Sequence, residues 1–113
     1  MTIFALSSGS GLSGVAIIRI SGREASNVIK ALTSKEIPKP RLATLRKINN
    51  INTSELIDEG IVIWFPGPES YTGEDMAEIH IHGGKAGILA VQNEISKVKN
   101  CRLAEPGEFT KLA

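Results

Sequence analysis

The sequence predicts an α+β domain, a mixed sheet of five or six strands with two or three helices packed on it. Three observations predict it. Runs rich in β-branched residues, residues 15–21 and 61–65 above all, read as strands. Stretches such as 25–32 repeat apolar residues at helical spacing. Strands and helices also mix without a strict βαβα alternation. At 113 residues the chain is long enough for one core and not for two, so residues 1–113 are expected to form a single domain.

In chain order, Ile3 to Leu6 reads as a short strand entering a Gly/Ser loop, Ser7 to Gly14. Within that loop Gly9-Ser10-Gly11-Leu12-Ser13-Gly14 formally matches the dinucleotide fingerprint, which needs a helix next to receive a pyrophosphate. Val15 to Ser21 follows instead and reads as a strand, so the context for a dinucleotide site fails. A helix is expected from Ser21-Gly22 to about Ser34, with Ala25, Val28, Ile29 and Leu32 as one apolar stripe. Pro38 and Pro40 mark an extended connection, and Arg41 to Ile48 is a weaker strand because its alternation is imperfect. The Asn-rich turn 49–54 lets the element from Leu56 into Phe65 hairpin back on it. The continuous apolar run Ile61-Val62-Ile63-Trp64-Phe65 has the pattern of a strand covered on both faces. Pro66-Gly67-Pro68 ends that strand, and a polar loop, Glu69 to Asp75, leads to a second strand, Met76 to His82. Gly83-Gly84 then opens a helix over Lys85 to Lys99. Cys101 to Ala104 reads as a last short strand, and Glu105-Pro106-Gly107-Glu108 as a helix start with proline at the first position. That helix is not capped before Ala113, so the chain is expected to be part of a longer protein.

The composition excludes several function classes. Net charge is +1 with no run of like charges, which is not the electrostatic footprint of a stand-alone nucleic-acid binder. Apolar residues are 42% and charged residues 22%, as in an ordinary globule rather than a disordered chain. The single cysteine, Cys101, cannot form an internal disulfide, and a cytoplasmic setting is expected. No apolar run approaches the roughly 20 residues of a membrane helix, so no membrane association is expected.

Candidate chemistry concentrates on the two central strands. Alternation places Met76, Glu78, His80 and His82 on one strand face, and Val15, Ile17, Arg19 and Ser21 on another. An arginine among apolar neighbours needs a partner. Two readings stand side by side for Arg19: an ion pair with a carboxylate on an adjacent strand, Glu78 being the obvious one, or a clamp for a ligand's anion or carbonyl. His80-Ile81-His82 is a zinc-type spacing, but Glu78 and His82 lie roughly 13 Å apart along a strand, too far to share one metal comfortably. The alternative is that the histidines hydrogen-bond to backbone or solvent. Gly83-Gly84 could cradle an anion on free N–H groups, though any strand-to-helix turn needs glycine there. The acids Glu69, Glu74 and Asp75 read most simply as a solvated loop. No Walker A sequence and no Ser/His/Asp or Cys/His arrangement is present. What emerges is a small-ligand pocket with Arg19 and Glu78 as opposing polar anchors. A carboxylate suits a heterocycle edge with two adjacent N–H donors, such as that of a pterin or a guanine. The competing reading is a His-x-His metal-binding domain with hydrolytic activity.

The segments Gly14 to Gly22, Asp58-Glu59-Gly60, Trp64 to Pro68, Ser70 to Asp75, Glu78, His82-Gly83-Gly84 and Arg102 to Phe109 closely resemble, in order and spacing, the MnmE (TrmE) family of tRNA modification GTPases. The resemblance covers nearly the whole chain and implies its N-terminal domain. It implies a fold similar to the folate-binding domain of aminomethyltransferases, binding of a tetrahydrofolate derivative (5-formyl- or 5,10-methylene-tetrahydrofolate), and homodimerisation through this domain. The family's folate-contacting arginine and glutamate match Arg19 and Glu78; a further family lysine, in an NGK-type motif, would lie past Ala113. It implies no metal at His80 and His82. The complete proteins of the family add a helical domain and a potassium-dependent G domain that uses GTP and Mg. With the flavoprotein MnmG they install a carboxymethylaminomethyl-type group at C5 of the wobble uridine of tRNA, in the bacterial cytoplasm. The 113 residues alone are then expected to bind and not to catalyse. One departure stands out: the family usually has an ATPPGRGG-like loop where this chain has Leu6 to Gly14, without the prolines and the arginine.

Overall fold

The structure, a computed structural model, describes residues 1–8, 14–82 and 84–113. Its elements in chain order are β1 (Thr2–Ser8), β2 (Val15–Ser21), α1 (Ala25–Thr33), β3 (Thr44–Asn49), β4 (Leu56–Phe65), β5 (Met76–His82), α2 (Lys85–Ser96), β6 (Cys101–Leu103) and α3 (Glu108–Leu112). The six strands form one mixed sheet in the order β3-β4-β5-β2-β1-β6. The β1–β6 pair is parallel and the other four pairs are antiparallel. The α+β architecture expected from the sequence is the one observed.

Helices α1 and α2 pack on the same side of the sheet. Val28, Ile29 and Leu32 of α1, with Ile88, Val91 and Ile95 of α2, meet Ala16, Ile18, Ile20, Val62, Trp64, Ile79 and Ile81 in one cluster. Each fully buried aliphatic side chain there contributes roughly 1.5–3 kcal/mol. The predicted stripe of α1 is the buried one. The helix itself starts at Ala25 rather than at Ser21-Gly22: Ser21 is still paired with Met76 and Ile3, and Gly22 has φ of 135°, which no helix contains. Helix α2 ends at Ser96, before the predicted Lys99. Gly107, in the left-handed region at φ of 78°, delays α3 to Glu108, so Pro106 precedes the helix instead of opening it. The predicted glycine-rich fingerprint, residues 9–14, lies largely outside the described residues, but strand β2 follows it as expected.

The run 61–65 departs from expectation. It is covered on one face only: Val62 and Trp64 are buried, while Ile61, Ile63 and Phe65 on the opposite face are half-buried. Helices α1 and α2 both lie on the other side, so Val15, Ile17, Arg19, Glu78, His80 and His82 share a less covered, mixed face with them, which α3 approaches beside Arg19.

One glycine in β4 is fixed by a close approach. A Cβ on Gly60 would stand 2.1 Å from the carbonyl oxygen of His80 on the neighbouring strand, inside any allowed contact. Gly60→Ala is expected to cost about 3 kcal/mol, since neither backbone can yield without separating β4 from β5. Urea denaturation measures it; a loss below about 0.5 kcal/mol would show that the strands do not approach in this way.

Candidate functional site

The antiparallel register of β2 and β5 sets Arg19 directly opposite Glu78. Arg19 donates from Nε to Glu78 Oε2 at 3.0 Å. The other carboxylate oxygen, Oε1, lies 2.9 Å from Nε2 of His80, two residues along the same strand face. Of the two readings of Arg19, the ion pair is the one observed: Arg19 and Glu78 are partners rather than opposing walls of a pocket. Both keep solvent access, with side-chain exposures of 35% for Arg19 and 16% for Glu78. The Nη groups of Arg19 donate to no described residue.

Tyr71 stands over the guanidinium of Arg19, its ring centroid 5.5 Å from Cζ, a cation–π distance. The loop that carries it is stapled down. Ser21 Oγ lies 2.7 Å from Thr72 Oγ1 and donates to Glu74 Oε1 at 3.0 Å. Gly67 N–H donates to Asp75 Oδ1 at 2.9 Å, and the Ser70 hydroxyl donates to the Glu74 carbonyl. Glu74 and Asp75 therefore hold the loop's shape, which a purely solvated loop would not need.

Arg19 also lines a cleft of about 370 Å³ between Ala5, Leu6 and Ser7 of β1 and the turn 104–110. That size is within the range of small-molecule sites. The far wall is held by Arg102, whose Nη1 and Nη2 donate to the two oxygens of Glu108 in a bidentate pair. The Arg102 guanidinium, aided by the Glu105 N–H, holds the Glu108 carboxyl down at about 2, against an ordinary 4.5.

Each histidine has a carboxylate partner, and His82 is in addition largely open to solvent, with 81% of its side chain exposed. His80 has Glu78, and His82 Nδ1 lies 2.9 Å from Asp58 Oδ1, while the His82 N–H donates to Asp58 Oδ2. Burial acts to raise the Asp58 carboxyl, but the His82 and Glu59 hydrogen bonds outweigh it and the net displacement is downward. With each imidazole engaged by its own carboxylate, no group of three or more His, Cys, Asp or Glu side chains among the described residues is arranged to hold a metal ion. Gly84 caps α2 with an extended backbone, and its carbonyl accepts from Ile88 N–H; Gly83, the other half of the proposed anion cradle, lies outside the described residues. Among the described residues no helix is long and apolar enough to cross a membrane.

The family model described as GTP-binding protein TrmE N-terminus matches residues 2–113. The chain belongs to that family. It is 71% identical, over its whole length, to the tRNA modification GTPase MnmE of Pelagibacter ubique, of which it covers 26%. It is 50% identical to the mitochondrial tRNA modification GTPase gtpbp3 of Dictyostelium discoideum over 99% of the chain and 23% of that protein. With the MnmE of Zymomonas mobilis the identity is 46%, over 99% of the chain and 26% of the relative. The chain thus spans about a quarter of the length of the curated relatives it matches.

Both site residues named from the TrmE resemblance, Arg19 and Glu78, meet in the structure. Sequence reasoning missed Tyr71 as a neighbour of Arg19 and Asp58 as the partner of His82. It also missed the wall formed by residues 104–110. Asp58 was within reach of a sequence argument, since a β4–β5 hairpin brings the start of one strand to the end of the other.

The clasp between Arg102 and Glu108 has a pH signature. The folded-state carboxyl is lowered, so its stabilisation is present above about 4.5 and disappears as pH falls through about 2. The melting temperature of the protein minus that of Glu108→Gln is expected to be positive and flat above pH 5, and to shrink to nothing toward pH 2. A difference that persists at pH 2 would place the effect elsewhere.

Proposed function

We propose that this chain is the tetrahydrofolate-binding and homodimerisation module of a tRNA modification GTPase. The observation that carries the reading is the Arg19–Glu78 pair, of which Arg19 lines the 370 Å³ cleft, in a chain of the TrmE N-terminal family. The residues fit the ligand's chemistry. Glu78 spends one acceptor site on each oxygen and keeps one on each, which suits the paired N–H donors of a pterin edge. Arg19 keeps its Nη groups for a carbonyl or carboxylate. A bound tetrahydrofolate derivative, 5-formyl or 5,10-methylene, would supply a one-carbon unit; Arg19 and Glu78 bind and orient it, and no residue here is assigned a bond-making role.

Homodimerisation draws support from the less covered face. Leu45 is 60% and Val15 48% exposed, and half-buried Ile17, Ile61, Ile63 and Phe65 flank them. Exposed and half-buried aliphatic residues grouped on one face of a small domain, with His80 and Glu78 between them, suit an interaction surface. In the whole protein, GTP hydrolysis with Mg and K would belong to a separate G domain. Modification of the wobble uridine would engage tRNA and the flavoprotein MnmG, in a bacterial cytoplasm.

Calorimetric titration with 5-formyltetrahydrofolate tests the site. Arg19→Ala and Glu78→Ala are each expected to weaken binding roughly thirtyfold or more, the loss of a charge-assisted anchor of about 2 kcal/mol, with the circular dichroism spectrum retained. Unchanged affinity in both variants removes the pocket from Arg19 and Glu78. No saturable heat in a protein that also carries the NGK-type lysine overturns the folate reading. Leu45→Asp is expected to shift sedimentation from dimer toward monomer; an unaltered dimer would move the interface off the less covered face.

A further inference from the structure

We infer that His80 is a positioning residue of this ligand site, holding the Glu78 carboxylate in one plane through the bond between its Nε2 and Glu78 Oε1. The inference rests on the folate reading above and adds to it a residue that no motif of the family assigned.

The terminal torsion of a glutamate is broad and roughly two-fold, so a single contact does not fix its carboxylate plane. Arg19 supplies only one contact, from Nε to Oε2 at 3.0 Å. A ligand carbonyl or carboxylate drawing on the same guanidinium would loosen even that. The second anchor is His80, at 2.9 Å from the other oxygen. Two contacts on two different oxygens define the plane, and they leave one acceptor site on each oxygen for a pair of N–H donors. A carboxylate in an ion pair only accepts, so the pairing assigns the imidazole proton to Nε2.

The imidazole is itself well placed to serve as an anchor. Alternate residues of a strand stand roughly 6.5 Å apart on the same face, within reach of the two side chains. His80 faces Ile17 of β2 and Ile61 of β4 across the ladder, two half-buried aliphatic neighbours that offer no competing hydrogen bond. Its backbone is held by ladder pairing with β2 on one side and β4 on the other. The ring is about three-quarters covered, with 26% of the side chain exposed.

The test compares His80→Ala with His80→Gln in the protein that binds 5-formyltetrahydrofolate. His80→Ala is expected to raise Kd about tenfold, and His80→Gln, whose amide retains an N–H donor, to restore it to within about threefold. Melting temperatures that move equally in the two variants would not produce that split. Imidazole ¹⁵N shifts of the ligand-free protein are expected to report the Nε2–H form of His80. An Nδ1–H form, an unchanged Kd in His80→Ala, or equal weakening in both variants overturns the positioning role while leaving the folate reading intact. A wild-type protein that binds no folate overturns the reading itself, and the role with it.

Discussion

The central constraint is the pairing of β2 with β5. Seven consecutive residues of each strand stand opposite one another without a bulge, from Val15 against His82 to Ser21 against Met76. Because side chains alternate with a period of two, a slip of one residue would turn Ile18, Ile20, Ile79 and Ile81 out of the core. The same slip would turn Arg19 and Glu78 into it. The core therefore enforces the register, and the register enforces the ion pair. In this sense the site needs no structure of its own: it is the reverse side of a well-packed ladder.

What the sequence made legible follows from the same periodicity. The α1 stripe, the β5 alternation and the mixed order of elements were plain, because each is a local pattern. The coverage of residues 61–65 was not. A continuous apolar run looks the same whether both faces are buried against helices or one is left half-covered, and only the placement of α1 and α2 on one side separates the cases. Helix starts were misplaced for a related reason. Ser21 to Gly22 carries a plausible start signal, yet the pairing of Ser21 with Met76 and the positive φ of Gly22 override it. At the site, Arg19 and Glu78 were legible as a pair because both lie on regular strands. Tyr71 sits on an irregular loop whose path depends on Thr72, Glu74 and Asp75, and no period reveals where such a loop returns.

The cleft is assembled from distant parts of the chain. Its near wall is β1 and its far wall the turn 104–110, brought together by the parallel β1–β6 pair and by the Ala104 N–H bonded to the Phe4 carbonyl. The Arg102–Glu108 pair then folds the turn over the sheet edge. Among the described residues, Arg19 is the side chain shared by this cleft and the Glu78–His80 cluster.

The placement of that cluster suits the proposed recognition role better than a stabilising one. A pair with 35% and 16% side-chain exposure gains little net free energy, on the order of 0–1 kcal/mol, because water and salt screen it. Its neighbours Ile17 and Ile63 show what stability alone would favour at those positions: aliphatic residues on a pleated, half-buried surface. Arg19 and Glu78 instead hold charge among half-buried aliphatic neighbours. They also retain unspent donors and acceptors within a fixed geometry. Groups that are fixed by the ladder and only half-satisfied by each other are poor glue, and they are well prepared to meet a ligand of complementary pattern.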